Sequence, residues 1–182
     1  KKDIVYRGNA AKVCAVVCVN DPFVMEQVEA AQGDIPTLKN KILVAERREG
    51  WLDLNEEMEK FSDEFPRPAG EEATRWDDTM LVYFSSGTTG MPKMVRHNFS
   101  YPLGHIVTAK YWQQVEENKL HMSVSDSGWA KFGWGKIYGQ WIAGATIFAY
   151  DMDKFVPTKL LQKIQDYKLT TFCAPPTMYR FM

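Results

Sequence analysis

Excess charge is nearly absent from this chain. Its 22 Lys and Arg stand against 23 Asp and Glu, leaving −1 over 182 residues. That balance argues against binding nucleic acid or a membrane surface through bulk charge. Cysteine is scarce: Cys14, Cys18 and Cys173 are the only three, too few for a disulfide framework. All three lie in apolar runs and read as buried free thiols in a reducing cytoplasm. Histidine is equally sparse, and His97, His105 and His121 form no spacing that would ligate a metal. The longest apolar run, residues 13–19, is far shorter than the roughly 20 residues a membrane-spanning helix needs. There is no internal repeat, no low-complexity stretch and no visible signal peptide. The first residues are Lys1-Lys2-Asp3 and the last Tyr179-Arg180-Phe181-Met182. Both ends read as cut from something longer.

What is present is an ordinary globular composition, long enough for one sizeable core. Residues 1–12 read only as the end of a helix. The continuous apolar run 13–19 predicts a parallel strand covered on both faces. Asn20-Asp21-Pro22 predicts a helix start, with Asp21 as cap and Pro22 in the first turn. Phe23, Val24, Val28 and Ala31 carry that helix, and Gly33 ends it. Residues 41–45 predict a second strand, completing a βαβ unit. Further on, the spacing predicts a helix from Ser100, a strand over 120–124 and an aromatic-rich helix over 131–142. A strand over 145–150, a helix over 157–168 and a strand over 169–174 follow. Leu160, Leu161, Ile164 and Tyr167 form the apolar side of that last helix. Strands alternating with helices make this an α/β fold with a largely parallel sheet flanked by helices.

Between them, residues 46–78 change character. They hold 12 Asp and Glu against 5 Lys and Arg, with Pro66, Pro68 and Gly70. One short helix around Leu52, Leu54, Met58 and Phe61 fits here; the rest reads as a solvated acidic connection.

Chemistry concentrates in Phe84-Ser85-Ser86-Gly87-Thr88-Thr89-Gly90-Met91-Pro92-Lys93. The preceding Met80-Leu81-Val82-Tyr83 reads, with Phe84, as a buried strand. The loop then offers two glycines for close backbone approach, four hydroxyls and exposed N–H groups as donors, and the Lys93 ammonium. Those are the groups a polyphosphate requires. The spacing is not that of a Walker A loop, which places lysine directly after its second glycine.

The ten-residue order, extended through Met94-Val95-Arg96-His97, resembles the phosphate loop of adenylate-forming enzymes. Ser125-Asp126-Ser127-Gly128-Trp129 resembles a second core motif of acyl-CoA synthetases, in which threonine is more usual at position 127. The segment Ala130-Lys131-Phe132-Gly133-Trp134-Gly135-Lys136-Ile137-Tyr138-Gly139-Gln140-Trp141 is similar to the acyl-pocket helix of the medium-chain branch. The resemblance implies an acid–thiol ligase using ATP, Mg²⁺ and coenzyme A on a small carboxylic acid. It implies Ser85, Ser86, Gly87, Thr88, Thr89, Gly90 and Lys93 at the phosphates, with Lys93, Thr88 and Thr89 acting in catalysis. It places Trp129, Lys131, Trp134 and Gly135 at the acyl pocket, within residues 125–141. The family's later motifs and its mobile C-terminal domain have no counterpart in residues 1–182, so this stretch reads as part of the large N-terminal domain and is expected to be inactive alone.

Two alternatives remain at this point. One is an amino-acid adenylation or luciferase-like enzyme, against which the Trp129–Trp134 segment argues. The other is a non-catalytic nucleotide-binding or interaction module. Trp112 and Trp141 are expected in the core, and Lys131 and Lys136 are expected to reach solvent along an apolar helix.

Overall fold

Asp21 does what its position before proline predicts. Its Oδ1 accepts the backbone N–H of Val24 at 3.0 Å, and helix α2 (Pro22–Gln32) begins at once. The computed structural model describes residues 1–44, 46–86, 90–152 and 154–182. These divide into two units, residues 1–74 with 82–96 and residues 75–81 with 97–182.

In the first unit, helix α1 (Lys2–Ala10) leads into strand β1 (Ala15–Cys18). After α2 comes β2 (Asn40–Leu43), parallel to β1, with Val17 opposite Ile42. The βαβ unit is therefore present. The acidic stretch adds an element that its composition hides. Strand β3 (Leu52–Asp53) pairs in parallel with β2, and Asp53 caps α3 (Leu54–Glu59) through bonds from Asn55 and Glu56 N–H. Just ahead of it Trp51 is buried among Cys18, Met25, Val28 and Leu43. Its indole N–H donates to Glu29 at 2.8 Å, and that bond holds the Glu29 carboxyl below its ordinary range. So 46–78 is not a connection throughout.

The expectation of a strand covered on both faces fails at β1. Val16 and Cys18 face the core that α1 and α2 complete, whereas Val17 is 58% exposed. Side chains alternate across a strand, so helices packed on one face leave the other open. Of the three cysteines, Cys14, just ahead of β1, is exposed rather than buried, Cys18 alone is buried, and Cys173 is half-buried. The strand expected at 80–84 is β4 (Thr79–Ser85), and it too is half-buried rather than buried. It pairs with β5 (Lys93–Asn98), a strand that the sequence pattern does not announce.

The second unit holds a three-stranded parallel sheet, β7 (Thr146–Ile147), β6 (Leu120–Ser123) and β8 (Thr171–Cys173), with β6 central. Helix α4 (Tyr101–Val107) precedes it. Ser100 is not a side-chain cap, because its hydroxyl donates instead to Asn98 Oδ1 at 2.6 Å. Helices α5 (Ala130–Phe132) and α6 (Tyr138–Ile142) follow β6. Helix α7 (Pro157–Asp166) buries Leu160 completely but leaves Leu161 and Tyr167 exposed. A last short helix, α8 (Pro176–Tyr179), follows β8. The alternation and the parallel pairing stand as expected; the sheet is divided into separate pieces.

Candidate functional site

Of the residues expected at the phosphates, the described ones lie at or between the ends of two paired strands. Ser85 ends β4 and Lys93 begins β5. Ser85, Ser86, Gly90 and Lys93 are all exposed. Gly90 has φ +131°, a backbone state that side chains disfavour. Gly87, Thr88 and Thr89 lie outside the described residues. The exit of the loop is tethered from below: the Tyr6 hydroxyl on α1 donates to Pro92 O at 2.8 Å. Tyr6 also meets Phe84 edge-on at 6.4 Å, and the Arg7 guanidinium lies 5.3 Å over the same ring. One helix thus grips the strand entering the loop and the residue leaving it. Nothing in a lone tyrosine within an ambiguous N-terminal segment announces that role.

Two π-helical turns meet around the segment expected to form the acyl pocket. Residues Thr108–Trp112 extend α4, and Gly133–Ile137, within that segment, join α5 to α6. The signature is a bond to the carbonyl five residues back: Gln113 N–H to Thr108 O, and Tyr138 N–H to Gly133 O. Helices α4 and α6 approach closely at Gly139. A Cβ there would overlap the His105 carbonyl, whose carbon would stand only 2.6 Å away. The approach brings the two widened turns together. The Trp112 and Trp134 rings lie 6.0 Å apart, and His105 stacks on Trp134 at 6.0 Å. Trp112 and Trp134 line a cavity of about 520 Å³ together with Val107, Thr108 and Tyr111. Trp129, Lys131 and Gly135 are not among its lining residues. Trp129 is 72% exposed, Lys131 half-buried and Gly135 buried.

Three expectations about this region are corrected. Trp112 is not core: it is 61% exposed on the cavity side, while Ala109 takes the buried position. Trp141 is likewise 62% exposed. Lys136 does not reach solvent: it is 8% exposed, its Nζ 5.2 Å from the Phe132 ring centroid. Burial pushes its pKa down. Lys136 lines a second cavity of about 560 Å³ at the end of β6, with Ser123, Asp126 and Tyr150.

Beneath the second π turn lies a buried polar set. Gly135 O accepts from Gln113 Nε2 at 2.8 Å and has His121 Nε2 at 3.2 Å. A carbonyl only accepts, so the His121 proton sits on Nε2, and Nδ1 accepts from the Thr171 hydroxyl at 2.8 Å. Gln140, fully buried, donates to Trp134 O at 3.2 Å and to Gln113 Oε1. Burial is the main force lowering the His121 pKa; the Gly135 bond opposes it and the Lys136 charge adds to it. Folding therefore favours the neutral form of His121. Below the ordinary value of 6.5 the unfolded chain takes up a proton that the folded chain refuses. Stability is then present above that pH and lost as pH falls through it. Denaturant titrations of the full-length protein between about pH 5 and 7 should show this acid loss, at most about 1.4 kcal/mol per pH unit for one proton. His121→Gln should flatten the slope. His105, lowered mainly by burial and further by the His97 charge, accounts for what remains. An unaltered slope in the variant would exclude His121 as a source.

Among the described residues no helix is long and apolar enough to cross a membrane, and no group of three His, Cys, Asp or Glu side chains could hold a metal. Comparison with known proteins adds the following. The family model of the AMP-binding enzymes matches residues 1–182. The human acyl-coenzyme A synthetase ACSM3, mitochondrial, is 35% identical over all of this chain, which covers 30% of that protein. The Brucella canis acyl-CoA synthetase superposes with TM-score 0.77 at 17% identity, over 98% of this chain and 31% of its own. The anthranilate CoA ligase AuaEII, solved with anthranoyl-AMP, gives TM-score 0.76 at 20% identity, over 94% and 32%. The chain thus spans under a third of the length of these proteins. The cytoplasmic compartment expected from the thiols is overturned: ACSM3 and rat ACSM4 are both mitochondrial by name. Free thiols separate reducing from oxidising compartments but do not distinguish among reducing ones.

Proposed function

The chain belongs to the AMP-binding enzyme family, and on that premise we propose that the full-length protein is an acid–thiol ligase. It joins a short- to medium-chain or branched carboxylic acid to coenzyme A at the expense of ATP. The carboxylate oxygen bonds to the α-phosphorus of ATP and pyrophosphate leaves. The coenzyme A thiol then takes the acyl carbon, releasing AMP and one proton. The observation that carries this reading is the family match over residues 1–182, in a chain that holds the loop order from Ser85 to Lys93.

The carboxylate arrives ionised, so the first step needs charge neutralisation at the leaving pyrophosphate more than it needs a base. Ser85, Ser86, Gly87, Thr88, Thr89 and Gly90 provide hydroxyl and N–H donors, and Lys93 the charge. The exposed Ser85, Ser86 and Lys93 at the strand ends, with Gly90 in its side-chain-free backbone state, fit a polyphosphate. Mg²⁺, when bound, would lower the phosphate charge further; with hydroxyls as the loop's donors, phosphate oxygens and water would be its main ligands. The phosphate loop is residues 84–93 and the acyl-pocket segment residues 125–141. Within the latter, Trp134 forms the end of the pocket, while Trp129, Lys131 and Gly135, which the resemblance also assigns to the acid, do not line the cavity that Trp134 faces.

The test is pyrophosphate release by the full-length protein across a series of linear and branched acids, with thioester formation followed in parallel. Both should depend on acid and ATP, and the thioester on coenzyme A as well. Pyrophosphate release indifferent to every acid would overturn the reading. In the same assay Trp134→Ala should move the preference to longer acids. Each buried methylene is worth about 0.8 kcal/mol, so opening the floor should favour added carbons by several-fold each in kcat/KM. A folded variant with the original profile would remove Trp134 from the pocket.

A further inference from the structure

Gln113 and Gln140 are out of place by composition. Gln140 sits in the middle of an aromatic-rich helix and has no solvent exposure. Its Oε1 finds no hydrogen-bond partner. An apolar side chain of the same length would fill that space without a buried, unsatisfied oxygen. What the amide does instead is donate. Its Nε2 reaches Trp134 O at 3.2 Å and Gln113 Oε1, and the Gln113 amide passes on to Gly135 O at 2.8 Å. Both amide orientations are fixed by these carbonyls, since only N–H can meet C=O. His121, held by Thr171 at 2.8 Å, approaches the same Gly135 carbonyl. Three side chains from three different elements therefore converge on two consecutive carbonyls of one π turn. Gln113 closes the facing π turn, directly after Trp112.

We propose that Gln113 and Gln140 are positioning residues for acyl selectivity: by fixing the Trp134–Gly135 backbone they set where the Trp134 ring stands against Trp112 in the 520 Å³ cavity. The inference rests on the reading of Trp134 as the end of the acyl pocket. Side-chain donors at Trp134 O and Gly135 O fix this π turn from outside the helix. The arrangement gives the ring a fixed backbone, as side chains that set specificity require from the residues behind them.

The experiment uses the full-length protein carrying Gln140→Met or Gln113→Met, which keep length and remove the donors. The readouts are the unfolding midpoint, the KM for ATP and the ratio of kcat/KM between a six-carbon and a three-carbon acid. The expected result is a folded variant, a KM for ATP within about twofold, and an acid ratio changed by about fivefold or more. Gln113 is only half-buried, so its variant keeps the test open should Gln140→Met fail to fold. An unchanged ratio in a folded variant, while Trp134→Ala shifts the profile, would overturn the positioning role alone. An equal loss for every acid, with a lowered midpoint, would mean that the amides only hold the fold, and overturns it as well. An unchanged profile in Trp134→Ala would remove the reading beneath it.

Discussion

Gly139→Ala should be the most damaging small substitution in the helical unit. One methyl group would lie inside the van der Waals surface of the His105 carbonyl and 3.1 Å from Ala109 Cβ. Neither neighbour can yield. The first is helix backbone, and the second is a fully buried residue of the core with Val115, Ala143 and Ala145. Relief requires α4 and α6 to separate, which also parts the Trp112–Trp134 contact and the bond from Gln113 to Gly135. Overpacking costs about 1–3 kcal/mol even where side chains can adjust. With backbone in the way, a loss of about 3 kcal/mol or more is expected. Gly104→Ala provides the control within α4, because a Cβ there meets nothing within 4 Å. That change should stabilise by about 0.5–1 kcal/mol, through the lost freedom of glycine in the unfolded chain. Denaturant unfolding of the two full-length variants tests both signs. If Gly139→Ala unfolds with the parent midpoint, the close approach of α4 and α6 is wrong.

Much of this architecture is legible in the chain because local chemistry decides it. Asp21-Pro22 specifies a helix start wherever the rest of the fold lies. The strands expected at 13–19, 41–45, 120–124 and 169–174 form at Ala15–Cys18, Asn40–Leu43, Leu120–Ser123 and Thr171–Cys173, each end within two residues. What could not be read follows from two physical causes. Burial is a property of neighbours. Val17 and Cys18 are adjacent and equally apolar, yet one faces solvent and the other the core. The second cause is which helix face packs. Gly133, Gly139 and Gln140, all buried, lie three or four residues from Lys136, so the face that packs is the one carrying Lys136, and Trp141 is left on the open side. Trp112 is misplaced in the same way, with Ala109 taking the buried position. The candidate site is legible as a set of residue types in order. The network beneath it is not, because Gln113, His121 and Gln140 meet only after β6 and the helices have assembled. The one visible signal was a glutamine at the centre of an aromatic helix.

Lys93→Ala should lower adenylation by the full-length protein by about 10–100-fold while leaving the fold intact. The second half of that statement rests on geometry. Lys93 is exposed at the first residue of β5, and its side chain makes no ion pair among the described residues. Truncation therefore makes no cavity and orphans no carboxylate. The first half rests on the reaction. Negative charge accumulates on the departing pyrophosphate as the carboxylate attacks, and one directed ammonium is worth about 1.4–2.7 kcal/mol at that point. Because the charge grows toward the transition state, kcat should fall more than ATP binding weakens. Lys93→Arg should recover part of the rate, since it restores charge without the compact ammonium. Acid-dependent pyrophosphate release, measured against ATP concentration, separates these effects, and circular dichroism checks the fold. A variant with parental kcat and an intact spectrum would place the neutralising charge elsewhere and take Lys93 out of the phosphate site. A loss confined to KM for ATP would leave Lys93 at the nucleotide, but as a binding group that does nothing extra for the transition state.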